Sequence, residues 1–450
     1  MGDCAGGPDL TVTITRASER LKAMKSEGGS ITRRDFLTVG TAGLVAPAIL
    51  RGEDLAKDPI RIGHIGTGTR GWDLIKYTGA VPEAKVVAVC DVYGPHLKRG
   101  IEASGNAEAT GYKDYHDLLA DPKIEAVVIA TPDHWHERMV LDAVAAGKAI
   151  YCEKGLATSI ASAKRMRDAI KKAGTVFQLG HQGRQISATA EAGRLIRDGR
   201  IGPLTLIHTG RYFNGTRERA PWRWYGYYSW YDRPDPAQVI RDLDWEKWLG
   251  PAPKIDFNEK HFWHWRCYWA YGTGQAGDLL THETDHVQSV LGWGIPDTCM
   301  CSGLNAYYND GREVPDTWLA SYRFEKHACS LTFEGCMNSK RQQPPEYIGR
   351  EGRLIFNGIG HDATRFWIYP DGPAFPQFGK TPDATYAYDP AKGEKWPNHM
   401  DDFLRCVRTG GRPKCHIDEA FIEIATALMS VESYHLKRQV RWDPEKEDIV

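Results

Sequence analysis

Short apolar runs alternate with helical patterns in the first half of the chain, beginning at Ile60. The apolar runs lie at 60–65, 85–90, 124–130, 149–152 and 175–179. Between them, apolar residues recur every three or four positions, which is typical of amphipathic helices. Five strands that alternate with helices over roughly 120 residues predict a doubly wound parallel sheet. Because ligands bind beyond the carboxyl ends of such strands, we expect the functional residues there.

From about Pro203 the pattern changes to alternating apolar and polar residues, with Gly, Asn and Asp at the turns. The alternating runs lie at 204–212, 316–324, 328–333, 347–348, 353–357 and 365–369. A period of two residues is typical of strands that bury one face, so this part predicts a large, mostly antiparallel sheet. The expected fold class is α/β, with an N-terminal Rossmann sheet followed by an α+β domain.

A glycine-rich turn follows the first predicted strand. Residues 66–71 read GTGTRG, a G-x-G-x-x-G pattern that opens a predicted helix. Such glycines permit a tight turn, the approach of a pyrophosphate to the backbone, and close packing of helix on strand. Asp91 ends the second predicted strand about 20 residues later, where a carboxylate holds a ribose 2′-hydroxyl and repels a 2′-phosphate. The pattern predicts a dinucleotide site that favours NAD over NADP, unless Lys98 or Arg99 pairs with a 2′-phosphate.

Asp278 and His282 lie four residues apart in a predicted helix. On one helix face the carboxylate can orient the imidazole and set its tautomer, as a histidine general acid or base requires. Two alternatives stay open. Both residues could be polar groups on the solvent face of the helix, or His282 could ligate a metal with Asp285 and His286, although a third ligand segment is not evident.

Eight of the 15 tryptophans lie between Trp222 and Trp269, in a turn-rich stretch that resembles an insertion at about 214–272. Flat aromatic faces suit the C–H faces of pyranose rings, but large aromatic residues also dominate core burial. We expect some of these residues to contact a saccharide and the others to pack the insertion onto the sheet.

Length, charge and cysteine content narrow the class of protein. The 450 residues are about three times a typical domain, and the expected divisions are an N-terminal extension (1–58), a cofactor domain (59–182) and a substrate domain (183–450). A net charge of −1 supplies no field for nucleic acid, and no apolar run of about 20 residues predicts a membrane span. The ten cysteines are too sparse for a disulfide framework, and Cys299 and Cys301 lack zinc-site spacing, so we expect no metal.

Residues 31–50 have the order of an export signal. The arginine pair Arg33-Arg34 precedes a moderately apolar run of about 13 residues and then Ala46-Pro47-Ala48, a small-residue cleavage site. The run is too short to span a bilayer. Residues 32–37 resemble the twin-arginine signature, so we expect export to the periplasm by the twin-arginine machinery, and a cytoplasmic protein if the signal does not function.

The motifs together resemble those of the glucose-fructose oxidoreductase, inositol dehydrogenase and MocA family (Gfo/Idh/MocA), which comprises NAD(P)-dependent sugar and polyol oxidoreductases. Besides the glycine turn, the resemblance rests on Thr131-Pro132-Asp133-His134-Trp135-His136, Glu153-Lys154, Asp278-x-x-x-His282 and the C-terminal run from 401. It covers about residues 59–445. It implies a second domain with an open-faced sheet, closed by a helix at about 418–436, and a homodimer or homotetramer.

The resemblance also implies roles for individual residues. Lys154 would bind a substrate hydroxyl and assist its proton, His282 would be the general acid or base, and Asp278 would orient them. The residues expected at the cofactor are Gly66, Gly68, Thr69, Arg70, Gly71, Asp91, Thr131, Pro132, His134, His136, Glu153, Lys154 and Gln182. Those expected toward the substrate are Arg266, Trp269, Tyr271 and Asp285. Two positions depart from the family pattern: Gly155 stands where Pro is usual, which would loosen the turn that aims Lys154, and Asp133 stands where Asn is usual.

The expected activity is oxidation of a sugar hydroxyl by hydride transfer to NAD(P). Loss of hydride from a carbinol carbon requires a base for the hydroxyl proton and a cation near the oxygen, which His282 and Lys154 can supply. Export would favour a tightly bound cofactor, because no ready NAD pool lies outside the cytoplasm. Two alternatives remain: a redox-neutral NAD-dependent glycoside hydrolase, and a non-catalytic protein that binds NAD and sugar.

Overall fold

The computed structural model describes residues 58–214, 235–371, 383–390 and 399–450. The expected export signal at 31–50 lies outside these residues, as do Trp222, Trp224 and Trp230. In the part of the chain that is described, no helix combines the length and the apolar character needed to cross a membrane. The nine cysteines within it form no disulfide, and all except Cys336 are buried.

A parallel sheet of six strands forms the first half of the described chain. The strands are β1 (Ile60–Ile65), β2 (Ala84–Cys90), β3 (Thr110–Tyr112), β4 (Ala126–Ile129), β5 (Ala149–Cys152) and β6 (Phe177–Leu179). Their order is β3-β2-β1-β4-β5-β6, and every neighbouring pair is parallel. This order reverses direction between β1 and β4, as in a doubly wound sheet, which confirms the predicted Rossmann architecture.

The helices of this domain connect successive strands. They are α1 (Thr69–Gly79), α2 (Gly94–Ala103), α3 (Tyr115–Ala120), α4 (His136–Ala145) and α5 (Ile160–Ala173). The sequence predicted five of the six strands. It missed β3, because the three residues Thr-Gly-Tyr contain no apolar run and none of them is fully buried.

The second sheet has ten strands among the described residues. They are β7 (Leu204–Tyr212), β8 (Thr298–Leu304), β9 (Thr317–Phe324), β10 (Cys329–Cys336), β11 (Glu346–Gly349), β12 (Gly352–Phe356), β13 (Phe366–Pro370), β14 (Tyr386–Tyr388), β15 (Val440–Asp443) and β16 (Asp448–Ile449). Their order is β14-β13-β12-β11-β7-β10-β9-β8-β15-β16. Only the β7–β10 pair is parallel within this sheet, so the expected mostly antiparallel sheet is confirmed.

Helices cover one face of the second sheet. The helices that follow the first domain are α6 (Ser187–Arg197), α7 (Pro236–Asp242), α8 (Trp245–Leu249), α9 (Glu259–Trp263), α10 (Thr281–Leu291), α11 (His399–Thr409) and α12 (Ile417–Leu436). Helix α12 packs on β8, and α10 packs between α6 and α12. Along β9, Trp318 and Tyr322 are buried on the helix side, whereas Leu319 on the other face is 53% exposed. Within the ranges that the structure describes, this face of β9 is therefore uncovered.

The described part of the aromatic insertion packs against the parallel sheet. Tyr93, just after β2, forms a bridge with Leu243, and the Asp244 N–H donates to the Val92 carbonyl at 3.0 Å. The Trp135 indole donates to the Trp248 carbonyl at 2.8 Å. These contacts place α8 over the carboxyl ends of β2 and β4, and the Phe262 ring of α9 packs edge-on against Tyr93.

Candidate active site

A cavity of about 370 Å³ lies at the carboxyl ends of the parallel strands, within the size range of small-molecule sites. One wall comes from the turns after β1, β2, β4 and β5. The opposite wall comes from α8, α9 and the segment that begins α10. The residues expected at the cofactor that line the cavity are Gly66, Gly68, Thr69, Arg70, Asp91, Thr131, Pro132, Glu153, Lys154 and Gln182.

The glycine turn at the start of α1 leaves no room for side chains at two positions. Gly66 has a φ of +84°, which L residues rarely adopt. A Cβ on Gly71 would lie 1.9 Å from the carbonyl oxygen of Gly66. The turn therefore brings the N-terminus of α1 close to the end of β1. Helix N-termini bind anions, so this cradle fits a pyrophosphate.

Asp91 is held as a carboxylate at the end of β2. It accepts hydrogen bonds from the backbone N–H of Thr67 at 2.7 Å and that of Tyr93 at 2.9 Å. Burial by itself would raise the pKa of Asp91, but His96 and these N–H groups outweigh it and lower that pKa below its usual value. Arg99 donates to the Thr67 carbonyl at 2.8 Å, and Lys98 is exposed at the surface. Neither cation is part of the described cavity wall.

The buried Glu153 and the half-buried Arg70 form an ion pair at the end of β5. The Arg70 Nε lies 2.7 Å from a carboxylate oxygen of Glu153. Gly180 packs so closely that a Cβ there would lie 2.7 Å from the same oxygen. Gln182 donates to the Tyr151 hydroxyl at 2.9 Å. These contacts connect the turns after β1, β5 and β6.

Lys154, Asp278 and Arg266 meet in the middle of the cavity wall. The Lys154 ammonium donates to the Asp278 carboxylate and, at 2.9 Å, to the Asp278 carbonyl. The Arg266 Nε lies 3.4 Å from the same carboxylate. Asp278 lies in a π-helical turn (Ala276–Leu280) that runs directly into α10. The carboxylate therefore faces two cations from distant segments of the chain.

His282 lines the cavity and lies half-buried in the first turn of α10. Its ring stands edge-on to that of His181, with centroids 5.0 Å apart. The His181 Nδ1 bonds the Glu423 carboxylate, and burial lowers the pKa of His181 to about 4. His181 is thus a neutral neighbour of His282 at neutral pH.

Asp285 lies in a buried ion cluster behind His282 rather than at the cavity. Its carboxylate pairs with Arg184, whose guanidinium also donates to Glu423 at 2.9 Å. Burial raises the pKa of Asp285 to about 7. Ligand atoms of His181, Asp285, Cys415 and Glu423 lie within 4.8 Å of one another, but Arg184 already supplies a cation to both carboxylates. The alternative set with His286 does not converge, because the His286 ring packs on Phe356.

Two histidines expected at the cofactor support the wall from behind. His136 is fully buried, and its ring nitrogens contact the carbonyls of Gly155 at 2.8 Å and Thr131 at 3.0 Å. His134 lies 3.2 Å from the Trp248 carbonyl, and burial lowers its pKa to about 4. The bond from His136 fixes the carbonyl of Gly155, whose peptide bond to Lys154 is cis. Gly155 is therefore held in place despite the absence of proline.

The aromatic cluster divides between cavity and core, as the sequence suggested. Trp248, Trp263 and Trp265 line the cavity, and the Arg266 guanidinium lies 4.1 Å over the Trp265 ring. The two aromatic residues expected toward the substrate lie elsewhere. Trp269 packs between Trp318 and Tyr434, and the buried Tyr271 bonds His261 at 2.9 Å.

Several residues that line the cavity could not be identified from the sequence. Arg211 reaches the cavity from β7 and pairs with the buried Glu283 at 2.6 Å. Lys113 and Lys247 line it from the loop after β3 and from α8. Each of them follows an ordinary polar pattern, so only the packing of the two domains identifies them.

Two sequence profiles of one family match the chain. The first, described as an oxidoreductase family with an NAD-binding Rossmann fold, matches residues 60–181. The second, the C-terminal alpha/beta domain of the same family, matches residues 254–441. Together they include the glycine turn, Lys154, Asp278 and His282.

Known proteins share this similarity at the level of sequence or fold. Inositol 2-dehydrogenase 1 of Saccharopolyspora erythraea is 35% identical over 151 residues, which are 33% of this chain and 44% of that protein. The chain thus spans about half the length of the curated relatives it matches. The aldose-aldose oxidoreductase of Caulobacter crescentus, solved with glycerol, has a TM-score of 0.61 at 18% identity and covers 85% of this chain and 99% of its own. The WlbA dehydrogenase of Bordetella pertussis, solved with NADH and UDP-GlcNAcA, has a TM-score of 0.62 at 18% identity, with coverages of 86% and 99%.

Proposed function

The chain belongs to the Gfo/Idh/MocA oxidoreductase family, and on that premise we propose that it oxidises a hydroxyl of a sugar or sugar derivative by hydride transfer to NAD. One observation carries the proposal. Lys154 and Arg266 flank the Asp278 carboxylate, and His282 lines the same cavity, beyond the glycine turn. Inositol 2-dehydrogenases among its relatives support a polyol or sugar as the substrate class.

The residues at the strand ends fit a dinucleotide. Gly66 and Gly71 leave the cradle that a pyrophosphate needs, and Asp91, which lines the cavity, would hold a ribose hydroxyl. Asp91 and the placement of Lys98 and Arg99 outside the cavity wall favour NAD over NADP. When bound, the nicotinamide supplies the hydride acceptor. We expect tight retention of this cofactor if the protein is exported.

His282 and Lys154 have different roles in the proton transfer. Lys154 pairs with Asp278 and binds the substrate oxygen, where negative charge develops as the proton leaves. His282 takes the hydroxyl proton. Asp278 positions Lys154 and Arg266 together. Trp248, Trp263 and Trp265 of the wall exclude water and stack on the sugar.

An ultraviolet spectrum of the dialysed protein tests this function. We expect a retained nicotinamide absorption and a rise at 340 nm when one of inositol, levoglucosan or D-glucose is added, with NAD supplied if dialysis removes the cofactor. Lys154→Ala should slow that rise by about 10² or more, because it removes the cation at the developing oxyanion. Asp198→Asn, which changes an exposed carboxylate just after α6, is the control. Unchanged turnover in Lys154→Ala would remove Lys154 from the mechanism, whereas a bound nicotinamide with no rise at 340 nm on any of the sugars would support a non-catalytic protein that binds NAD and sugar.

A redox-neutral glycoside hydrolase is the second candidate function. One observation favours it: the cavity contains a further titratable carboxyl, Asp133, which simple alcohol oxidation does not need. Repeated release of p-nitrophenol from a p-nitrophenyl glycoside without added NAD would identify this activity.

Two further expectations concern the whole protein. We propose export to the periplasm by the twin-arginine machinery, from residues 31–50, and association of the open sheet face into a homodimer or homotetramer. Arg33→Lys with Arg34→Lys should retain the protein in the cytoplasm. Light scattering should give a molecular mass in solution that corresponds to two or four chains.

A further inference from the structure

Arg211 is a residue of the cavity that the proposed proton and hydride transfers do not use. It lies at the end of β7, lines the same cavity as Lys154, Asp278 and His282, and has a side chain that is 16% exposed. Its Nε lies 2.6 Å from a carboxylate oxygen of Glu283, which is buried in the first turn of α10. The carboxylate of this pair therefore lies toward the core, and the guanidinium lies at the cavity.

The contact between Arg211 and Glu283 uses only one side of each group. Arg211 donates through Nε, and the Oε2 of Glu283 is buried with no hydrogen-bond partner within 58–214, 235–371, 383–390 and 399–450. A guanidinium that served only to neutralise a buried carboxylate would meet it with two parallel N–H donors, because a buried acceptor without a donor is costly. Glu283 therefore leaves the two terminal nitrogens of Arg211 to other partners.

A glycine fixes the guanidinium of Arg211 from a second direction. Gly360, in the turn after β12, has a φ of +59°, and a Cβ there would lie 2.6 Å from the Nη2 of Arg211. The backbone of this turn therefore packs directly on the guanidinium, which is held between Gly360 and Glu283. A side chain that is already fixed loses little conformational entropy when a ligand binds, so Arg211 is preorganised to bind an anion.

Lys154 and Arg266 add positive charge to the same cavity wall. Both cations face one carboxylate, that of Asp278, and the Nε of Arg266 is buried with no hydrogen bond to any described residue. Burial raises the pKa of Asp133, a second carboxyl of this wall, to about 7, so it is only partly ionised at neutral pH. The cations therefore exceed the negative charge beside them, which favours an anionic ligand.

The carboxylates that hold the two arginines lie on either side of His282. Glu283, which bonds Arg211, follows His282 directly in α10, and Asp278, beside Arg266, precedes it by four residues. At 1.5 Å per residue, these two carboxylate residues lie within roughly 8 Å of one another along the helix axis. An anionic group at Arg211 can therefore belong to the same small molecule as the hydroxyl that His282 deprotonates.

We propose that the substrate is an acidic sugar, and that Arg211 binds a carboxylate attached to the ring whose hydroxyl is oxidised. This inference rests on the proposed function and deepens it, because it names the substrate class. A planar guanidinium matches a carboxylate through two parallel N–H donors, whereas a neutral polyol offers it only single hydroxyl acceptors. Arg211 is thus the specificity-determining residue, and Glu283 positions it.

Binding of matched ligands tests this assignment. D-Glucuronate and D-glucuronamide differ only in the carboxylate, which an uncharged amide replaces, and D-galacturonate and its amide form a second pair. Titration of the NAD-loaded protein, followed by tryptophan fluorescence, gives a dissociation constant for each ligand, since Trp263 and Trp265 line the cavity. We expect the wild type to bind the carboxylate of at least one pair about 10- to 100-fold more tightly than the amide, the range for hydrogen bonds to a charged group.

Substitution of Arg211 should abolish this preference. Arg211→Gln removes the cation but leaves a buried carboxylate unpaired, so Arg211→Gln with Glu283→Gln, which removes both charges, is the second variant in case the first does not fold. The matched control is Arg353→Gln, which changes an arginine that pairs with Glu346 across β12 and β11, away from the cavity. It should keep the preference of the wild type. In the 340 nm assay, the loss in the Arg211 variants should appear in KM more than in kcat.

The outcomes separate this inference from the proposed function. No preference for the carboxylate in either pair, or a preference that persists in a folded Arg211 variant, would overturn the role of Arg211. Tighter binding of D-glucose 6-phosphate than of D-glucuronate would overturn it as well, because it would assign the site to a phosphate. A 340 nm rise with any sugar would leave the dehydrogenase intact in these cases. A carboxylate preference that depends on Arg211, without a 340 nm rise on any sugar, would support the anion site and count against the proposed function.

Discussion

Asp133→Asn should stabilise the folded protein, and increasingly so as the pH rises. The folded-state pKa of Asp133 is raised to about 7 from the ordinary 3.8. A group of this kind contributes stability that is fully present below about pH 4 and is lost as the pH rises through about 7. The asparagine variant lacks this dependence, so its free energy of unfolding should exceed that of the wild type at neutral pH.

The size of the effect follows from the pKa difference. At about 1.4 kcal/mol per unit, the variant should be more stable by roughly 2 kcal/mol at pH 5 and roughly 4 kcal/mol at pH 8. Near pH 4 the two proteins should be nearly equal, since a neutral carboxyl and an amide are buried at similar cost.

Urea unfolding of the cofactor-free protein, followed by tryptophan fluorescence at both pH values, measures this difference. Asp198→Asn should show no such change with pH, because its carboxylate is exposed and pairs only with Arg194. A constant offset between Asp133→Asn and wild type, or a variant less stable at pH 8, would show that the Asp133 carboxylate is favourably held when ionised, and would refute the reasoning.

Two further predictions concern the cofactor site. Gly71→Ala should abolish retention of the nicotinamide after dialysis, because its Cβ would lie 1.9 Å from the Gly66 carbonyl oxygen. A folded variant that keeps the ultraviolet absorption of the nicotinamide would contradict the tight-turn interpretation. Asp91→Ala should reduce the preference for NAD over NADP by about tenfold or more, because it removes the repulsion of a 2′-phosphate. Calorimetry of the two cofactors measures the ratio of their binding constants. An unchanged ratio would assign Asp91 a purely structural role at the Thr67 and Tyr93 N–H groups.

The sequence predicted what depends on a few neighbouring residues. The glycine turn, Asp91 at the end of β2 and the C-terminal helix could be located because backbone conformation and burial period are local properties. The predicted helix at about 418–436 is observed as Ile417–Leu436. The predicted strands differ from their observed bounds mainly at their ends, where local preference is weakest, whereas β3, β8, β14 and β16 had no predicted counterpart.

The ion-pair partners of the charged residues could not be predicted from the sequence. Spacing of four residues places Asp278 and His282 on one helix face, but the carboxylate of Asp278 meets Lys154, which lies 124 residues away, and Arg266. Asp285 shares the motif and yet is drawn into a cluster with Arg184 and Glu423, because α12 packs against α10 there. The spacing of residues along the chain shows which of them share a helix face. The elements that pack against that face decide which partners those residues contact.

The sequence by itself thus determined the family, the two-sheet architecture, the dinucleotide turn and the identity of Lys154, Asp278 and His282 as chemical groups. Only the tertiary structure decided which of the predicted residues meet, that Arg211 and four tryptophans line the same cavity, and that Asp133 is buried in the cavity wall. The physical reason is that ionisation and hydrogen bonding depend on desolvation and on neighbours that are distant along the chain, whereas turns and strands are specified by residues next to one another.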